Sequence, residues 1–139
     1  MLRGNLQKKD SMNEDIIDTN FFIRLFTKQP SHQYKKAYTF FKEIEDKKTK
    51  GCVSILVINE VIWILERSYK IPRLVYLPKL IHLILLPNIS IIEVEKKTLV
   101  STLQRMMTIS IDFTDIYLFE IANGRTIISF DKDFKKLKN

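Results

Sequence analysis

Four short runs rich in β-branched residues punctuate the sequence: "DIIDT" at 15–19, "CVSIL" at 52–56, "ISIIEV" at 89–94 and "TIISF" at 126–130. Each is separated from the next by segments with helical spacing of apolar residues. Strands that alternate with helices must be joined by crossovers, and crossovers produce a parallel sheet covered by helices on both faces. Strands in such a sheet are buried on both sides, which is why they read as short apolar runs rather than as strict alternation. The expected architecture is one α/β domain, a three-layer α/β/α sandwich around a short, mainly parallel sheet.

The segments between the runs support this layout. After the first run, "NFFIRLFTK" repeats Phe22, Leu25 and Phe26 at helical spacing. Ser31 after Pro30 suits the N-cap of a long helix reaching about Lys50, with Tyr34, Ala37, Tyr38, Phe41 and Ile44 facing inward. Gly51 is expected to end that helix. "VINEVIWILERSY" (57–69) is too long for a strand and stops before Pro72, and "RLVYLPKLIHLILL" (73–86) reads as a helix bent or divided at Pro78. "EKKTLVSTLQRMMTIS" carries Leu99, Leu103 and Met106 on one face. "FTDIYLFEIA" (113–122) is a short helix closed by Asn123-Gly124, and "DKDFKKLK" adds a last turn or two.

At 139 residues with a 45% hydrophobic fraction, the chain can bury a substantial single core. No apolar run is long enough to span a membrane, and the opening "MLRGNLQKKDSMNED" lacks the apolar stretch of a signal peptide. Residues 1–14 read as a polar extension open to disorder, residues 15–139 as the domain, and the cytoplasm as the compartment. The lone Cys52 excludes an internal disulfide. The net charge of +7 favours a polyanionic partner, because Lys and Arg displace counterions from phosphates. A merely soluble Lys-rich surface accounts for the same charge.

Ligands of open parallel sheets gather beyond the C-terminal ends of the strands. Asp18 stands at that end of the first run and Asp131 at that end of the last. In a helix over 56–69, Glu60 has Leu56, Val57, Trp63 and Ile64 as its neighbours one turn away. It is therefore expected on an apolar face, where a carboxylate needs a cation, a proton or a metal. Asp112 and Asp115 open the helix "FTDIYLFEIA"; Asp112 suits an N-cap as well as a ligand, and Asp115 suits the helix dipole. Asp133 has the same two readings. Gathered carboxylates repel one another, and a hard divalent ion, Mg²⁺ or Mn²⁺, relieves that with oxygen ligands. His32, His82 and Cys52 lack zinc-ligand spacing, and no glycine-rich phosphate loop or Ser-His-Asp motif is present.

Four motifs, "IIDTNFFIRLF", "SILVINEVIWIL", "DFTDIYLFEIA" and "ISFDKDF", spanning residues 16 to 134, resemble the PIN-domain family. The resemblance is to its small VapC-like ribonuclease toxins of bacterial toxin–antitoxin pairs in particular. It implies a metal-dependent endoribonuclease whose Mg²⁺ or Mn²⁺ ions are held by Asp18, Glu60, Asp115 and Asp131. Asp112 and Asp133 match accessory acids of the family, and Thr19, Asn20 and Ser129 match small polar positions that orient the ligands. It further implies an RNA substrate, a homodimer and a cognate antitoxin. Family members reach the first acid within about ten residues of their start; translation from Met12 would restore that distance here. Ile116 replaces a common alanine, a change that bears on helix packing.

Lys132, Lys135, Lys136 and Lys138 follow Asp131 closely and either hold an RNA backbone or form a solvated tail. Two rivals remain at this level. Another Mg²⁺-dependent phosphoryl-transfer enzyme would need an Asp-x-Asp motif after the first strand, where Asn20 stands instead. A non-catalytic RNA-binding or protein-interaction module would tolerate loss of an acid, whereas all four are present.

Overall fold

Lys50–Val53 forms the central strand, β2, of a three-stranded parallel sheet. It pairs with β1 (Glu14–Ile16) on one side and β3 (Ile89–Ile91) on the other. The protein is described from a computed structural model over residues 14–138. Most of the polar extension expected at 1–14 thus lies outside the described residues. Register runs Ile16 to Cys52 to Ser90 across the sheet. Two crossovers make the strands parallel. The first is α1 (Thr19–Thr27) and α2 (Ser31–Glu45); the second is α3 (Ile55–Arg67) and α4 (Arg73–Leu85). After β3 come α5 (Lys96–Met106), α6 (Phe113–Ala122) and the single turn α7 (Phe134–Leu137). The α/β class expected from the sequence is the one found.

The core joins Phe22 of α1, Phe41 and Ile44 of α2, Val53 of β2, Leu65 of α3 and Tyr76 and Leu80 of α4. It continues through Leu99 and Leu103 of α5 to Ile116 of α6. In α2, Ala37, Phe41 and Ile44 face inward as expected, whereas Tyr38 stays exposed. Beside the core, α1 packs on α2 and α3, while α6 packs on α5 and α7 and touches α3.

Several boundaries differ from the sequence reading. Helix α2 ends at Glu45 rather than near Lys50. The left-handed Lys47 (φ 62°) closes it, with Lys48 N–H bonded to Glu43 O and Lys47 N–H to Ile44 O. Gly51 is not a helix end but lies inside β2. A Cβ there would sit 2.7 Å from Ile17 Cδ1 and 2.9 Å from Ile44 Cδ1, so close packing of α2 on the sheet requires glycine. Pro78 does not divide α4. Both it and Leu74, whose carbonyl loses its partner, are exposed, so water can take that bond.

The largest difference concerns "TIISF". Residues 125–130 are irregular, and β1 keeps an open edge among the described residues. Local bonds bracket the segment. Arg125 folds back to cap α6, its guanidinium donating to Ile121 O (2.7 Å) and Ala122 O (2.9 Å). At the other end Ser129 Oγ accepts the N–H of Asp131 at 2.9 Å.

Candidate active site

Asp115 lies in the first turn of α6, two residues after Phe113, which anchors the helix start in the core. The turn 129–133 brings Asp131 and Asp133 to it. Oxygens of these three carboxylates all lie within 4.8 Å of one another. Among the described residues they are the one group of three or more ligand-type side chains this close. The turn is internally braced: besides the Ser129–Asp131 bond, Asp131 Oδ1 accepts the N–H of Asp133 at 2.8 Å. Asp133 Oδ1 also meets Lys136 Nζ at 3.3 Å.

This crowding has an electrostatic consequence. Partial burial pushes the Asp115 carboxyl above its ordinary range, and the charges of Asp131, Asp112 and Asp133 push it further. Asp112 occupies the N-cap position of α6, yet its side chain makes no capping bond; it faces Arg73 Nη2 at 4.0 Å. The donor set is all oxygen, partly buried and mutually repulsive. It fits a small hard cation such as Mg²⁺ or Mn²⁺ and offers nothing to a thiolate- or imidazole-preferring metal.

The remaining expected ligands stand outside the close group. Asp18 follows β1 by two residues and occupies the N-cap position of α1 without capping it. It lines a surface cavity of about 350 Å³ with Asn20, Arg24 and Lys36. Thr19 beside it is buried and Asn20 is exposed.

Glu60 is exposed, which overturns the expectation that it lies in an apolar interior. Helix α3 is apolar nearly all round, so periodicity did not reveal which side is buried. Ile58, Val61, Ile62 and Leu65 face the core, while Leu56 (77% exposed) and Trp63 (59% exposed) accompany Glu60 on the outer side. The half-buried acid of α3 is Glu66 instead. It accepts from Arg73 Nε at 3.0 Å and from the hydroxyl of the fully buried Tyr76. Burial first, then this bond and the charge of Glu66, drive the Tyr76 hydroxyl far above its ordinary pKa. Arg73 also donates to Ile111 O (2.8 Å) and Ile109 O (3.2 Å), fastening the chain just before Asp112.

One acid at the strand rim escaped the sequence reading. Glu93 follows β3 by two residues, as Asp18 follows β1, and that placement was the available signal. Its Oε1 accepts the N–H of Ile55 at 2.8 Å, and its Oε2 accepts from Ser54 Oγ, the N-cap of α3, at 2.5 Å. Burial alone would raise its pKa; these bonds outweigh burial and hold the carboxyl below its ordinary range. Glu93 therefore acts as a cap for α3.

The sequence matches the PIN domain family over residues 16–139, a span that includes all four acids of the sequence reading. The chain belongs to the PIN domain family. No curated protein and no solved structure matches it. The PIN domain is generally a metal-dependent nuclease fold, and divalent ions are its typical cofactors. No helix among the described residues of this PIN domain is long and apolar enough to cross a membrane.

Proposed function

We propose that this PIN domain is a Mg²⁺- or Mn²⁺-dependent endoribonuclease acting on cytoplasmic RNA, the toxin of a toxin–antitoxin pair. The observation that carries the reading is the Asp115–Asp131–Asp133 group, three carboxylates within 4.8 Å. Asp115 and Asp131, with Asp133, would hold the ion, and Asp18 and Glu60 complete the family's ligand pattern. When bound, such an ion activates water as a nucleophile and offsets charge developing on the phosphate. The chain's own residues prepare the site. Ser129 fixes the turn that carries Asp131, and Arg73 anchors the approach to α6 through Ile109 and Ile111. Lys132 and Lys135, exposed in the same stretch as the acids, would hold phosphates.

Cleavage of RNA by the purified chain should require Mg²⁺ or Mn²⁺, stop in chelator, and fall at least about 100-fold in Asp131→Asn. Undiminished cleavage in excess chelator would end this reading. The position of Asp18 and Glu60 outside the close group favours one alternative, a non-catalytic RNA-binding module. RNA that stays intact in Mn²⁺ although the chain binds it would select that alternative.

A homodimer and an antitoxin belong to the same proposal. Leu56, Trp63, Leu74 and Val75 are all more than half exposed on α3 and the start of α4, an apolar surface suited to a second copy. Light scattering should report a dimer, and a persistent dilute monomer would contradict it. An antitoxin segment laid across the acidic group would inhibit cleavage, and co-purification from the native host tests for one.

A further inference from the structure

Phe130 immediately precedes Asp131 and is fully exposed; Ile128, two residues earlier, is 92% exposed. The same chain buries Phe22, Phe41, Phe113 and Phe134 almost completely, so a phenylalanine wholly in water beside the acidic group calls for a reason. The turn that carries it is braced. Ser129 Oγ holds the N–H of Asp131 at 2.9 Å, and Asp131 Oδ1 holds that of Asp133 at 2.8 Å. The ring is thus presented by the same turn that presents two of the three clustered carboxylates. Its surroundings are charged rather than apolar. Asp131 and Asp133 are adjacent, and Lys132 and Lys135 are exposed and make no ion pair among the described residues. Aromatic ring, free ammonium groups and an acid cluster that suits a cation are the complement of a nucleotide, with its π-face, its backbone phosphate and its scissile bond.

We propose that Phe130 is a stacking platform for one unpaired nucleobase next to the phosphodiester at the acidic group. The proposal rests on the nuclease reading for the identity of the neighbouring site. In a duplex both faces of each base are already stacked, so only an unpaired base can offer a face to Phe130. Stacking of this kind tolerates any base, because every base has a π-face.

The test is fluorescence anisotropy in chelator with the full chain. It uses a labelled single strand of about 12 nucleotides and a duplex of the same composition as probes. Phe130→Ala should weaken single-strand binding about 5- to 30-fold and leave duplex binding unchanged. Its melting temperature should match the parent's, since the ring packs against nothing. Phe130→Trp should restore affinity and Phe130→Leu should not, because a stack needs an aromatic face and a simple apolar contact does not. Single-strand affinity retained in Phe130→Ala or Phe130→Leu would overturn the proposal, as would an equal loss on the duplex. A loss of self-association in Phe130→Ala with RNA affinity intact would overturn it too, and would assign the ring to a protein contact. Cleavage in Mn²⁺ separates the two readings. A parent that cleaves, with Phe130→Ala unchanged in binding and rate, removes the platform and keeps the nuclease. A parent that binds through Phe130 but never cleaves keeps the platform and removes the nuclease. A parent that binds no RNA removes both.

Discussion

Replacing Asp115 by asparagine should make the metal-free protein more stable while abolishing its response to metal. The substitution preserves shape and removes one charge from a group whose carboxylate oxygens lie within 4.8 Å of one another. At that separation two unit charges repel by about 0.9 kcal/mol in water and about 3.5 kcal/mol at an effective dielectric of 20. Asp131 is exposed and Lys136 partly neutralises Asp133 at 3.3 Å, so values near the lower limit apply. Two such repulsions amount to about 2 kcal/mol, and screening at physiological salt reduces them further. Against this, the first-turn position of Asp115 in α6 gains roughly 0.5 kcal/mol from the helix dipole. The net gain on substitution is about 1 kcal/mol, or roughly 4 °C in Tm for a chain of this size. The sign with pH follows from the raised carboxyl of Asp115. Its ionisation opposes folding, so the penalty is absent below the ordinary carboxylate pKa and fully developed above the raised one. The advantage of the variant should therefore be complete at pH 8 and vanish as pH falls below about 4. Thermal melts in chelator between pH 4 and 8, repeated with Mn²⁺, measure both effects. Metal in hundredfold excess over Kd should stabilise the parent by about 2.7 kcal/mol and the variant hardly at all. A variant less stable than the parent at pH 8, with its full metal response retained, would show that Asp115 is a structural acid and refute the reasoning.

Because Glu60 is exposed, Glu60→Gln should change stability by less than about 0.5 kcal/mol, yet cut RNA cleavage at least about 100-fold if it ligates metal. Melts beside a cleavage assay decide, and normal cleavage would release Glu60 from the site. Glu66→Ala should cost about 2–3 kcal/mol, since it removes the partner of Arg73 Nε and of the buried hydroxyl of Tyr76 together, and urea denaturation would show it. Glu93→Gln should lower stability by about 1 kcal/mol at pH 7. The folded carboxyl of Glu93 is held below its ordinary range, so its contribution exists above the unfolded pKa and disappears as pH falls through the folded one. A difference between parent and Glu93→Gln that persists unchanged at pH 3 would contradict this.

Where local chemistry settles a structure, the sequence alone was sufficient. Helix α6 begins at Phe113 and ends at Ala122, the expected bounds, because a charged first turn and the left-handed Asn123 before Gly124 terminate it locally. The strands β1, β2 and β3 and their parallel pairing followed from apolar runs separated by helix-length segments. Asp115 was legible because a helix start needs no distant contact, whereas Asp131 was singled out as the end of a strand that does not form and reaches the site through the turn 129–133. Other features depended on what lies opposite. A helix apolar nearly all round has no readable inner face, so packing against α1 and α6 decided that Glu66 turns inward and Glu60 outward. Gly51 looked like a helix stop and proved to be a contact point, because Ile17, just after the distant β1, closes on it together with Ile44 of α2 and excludes a Cβ. "TIISF" has the composition of a strand, but a strand exists only through the ladder it joins. Here the segment joins no ladder, Phe130 stays in water, and the turn braced by Ser129 brings Asp131 and Asp133 together beside Asp115.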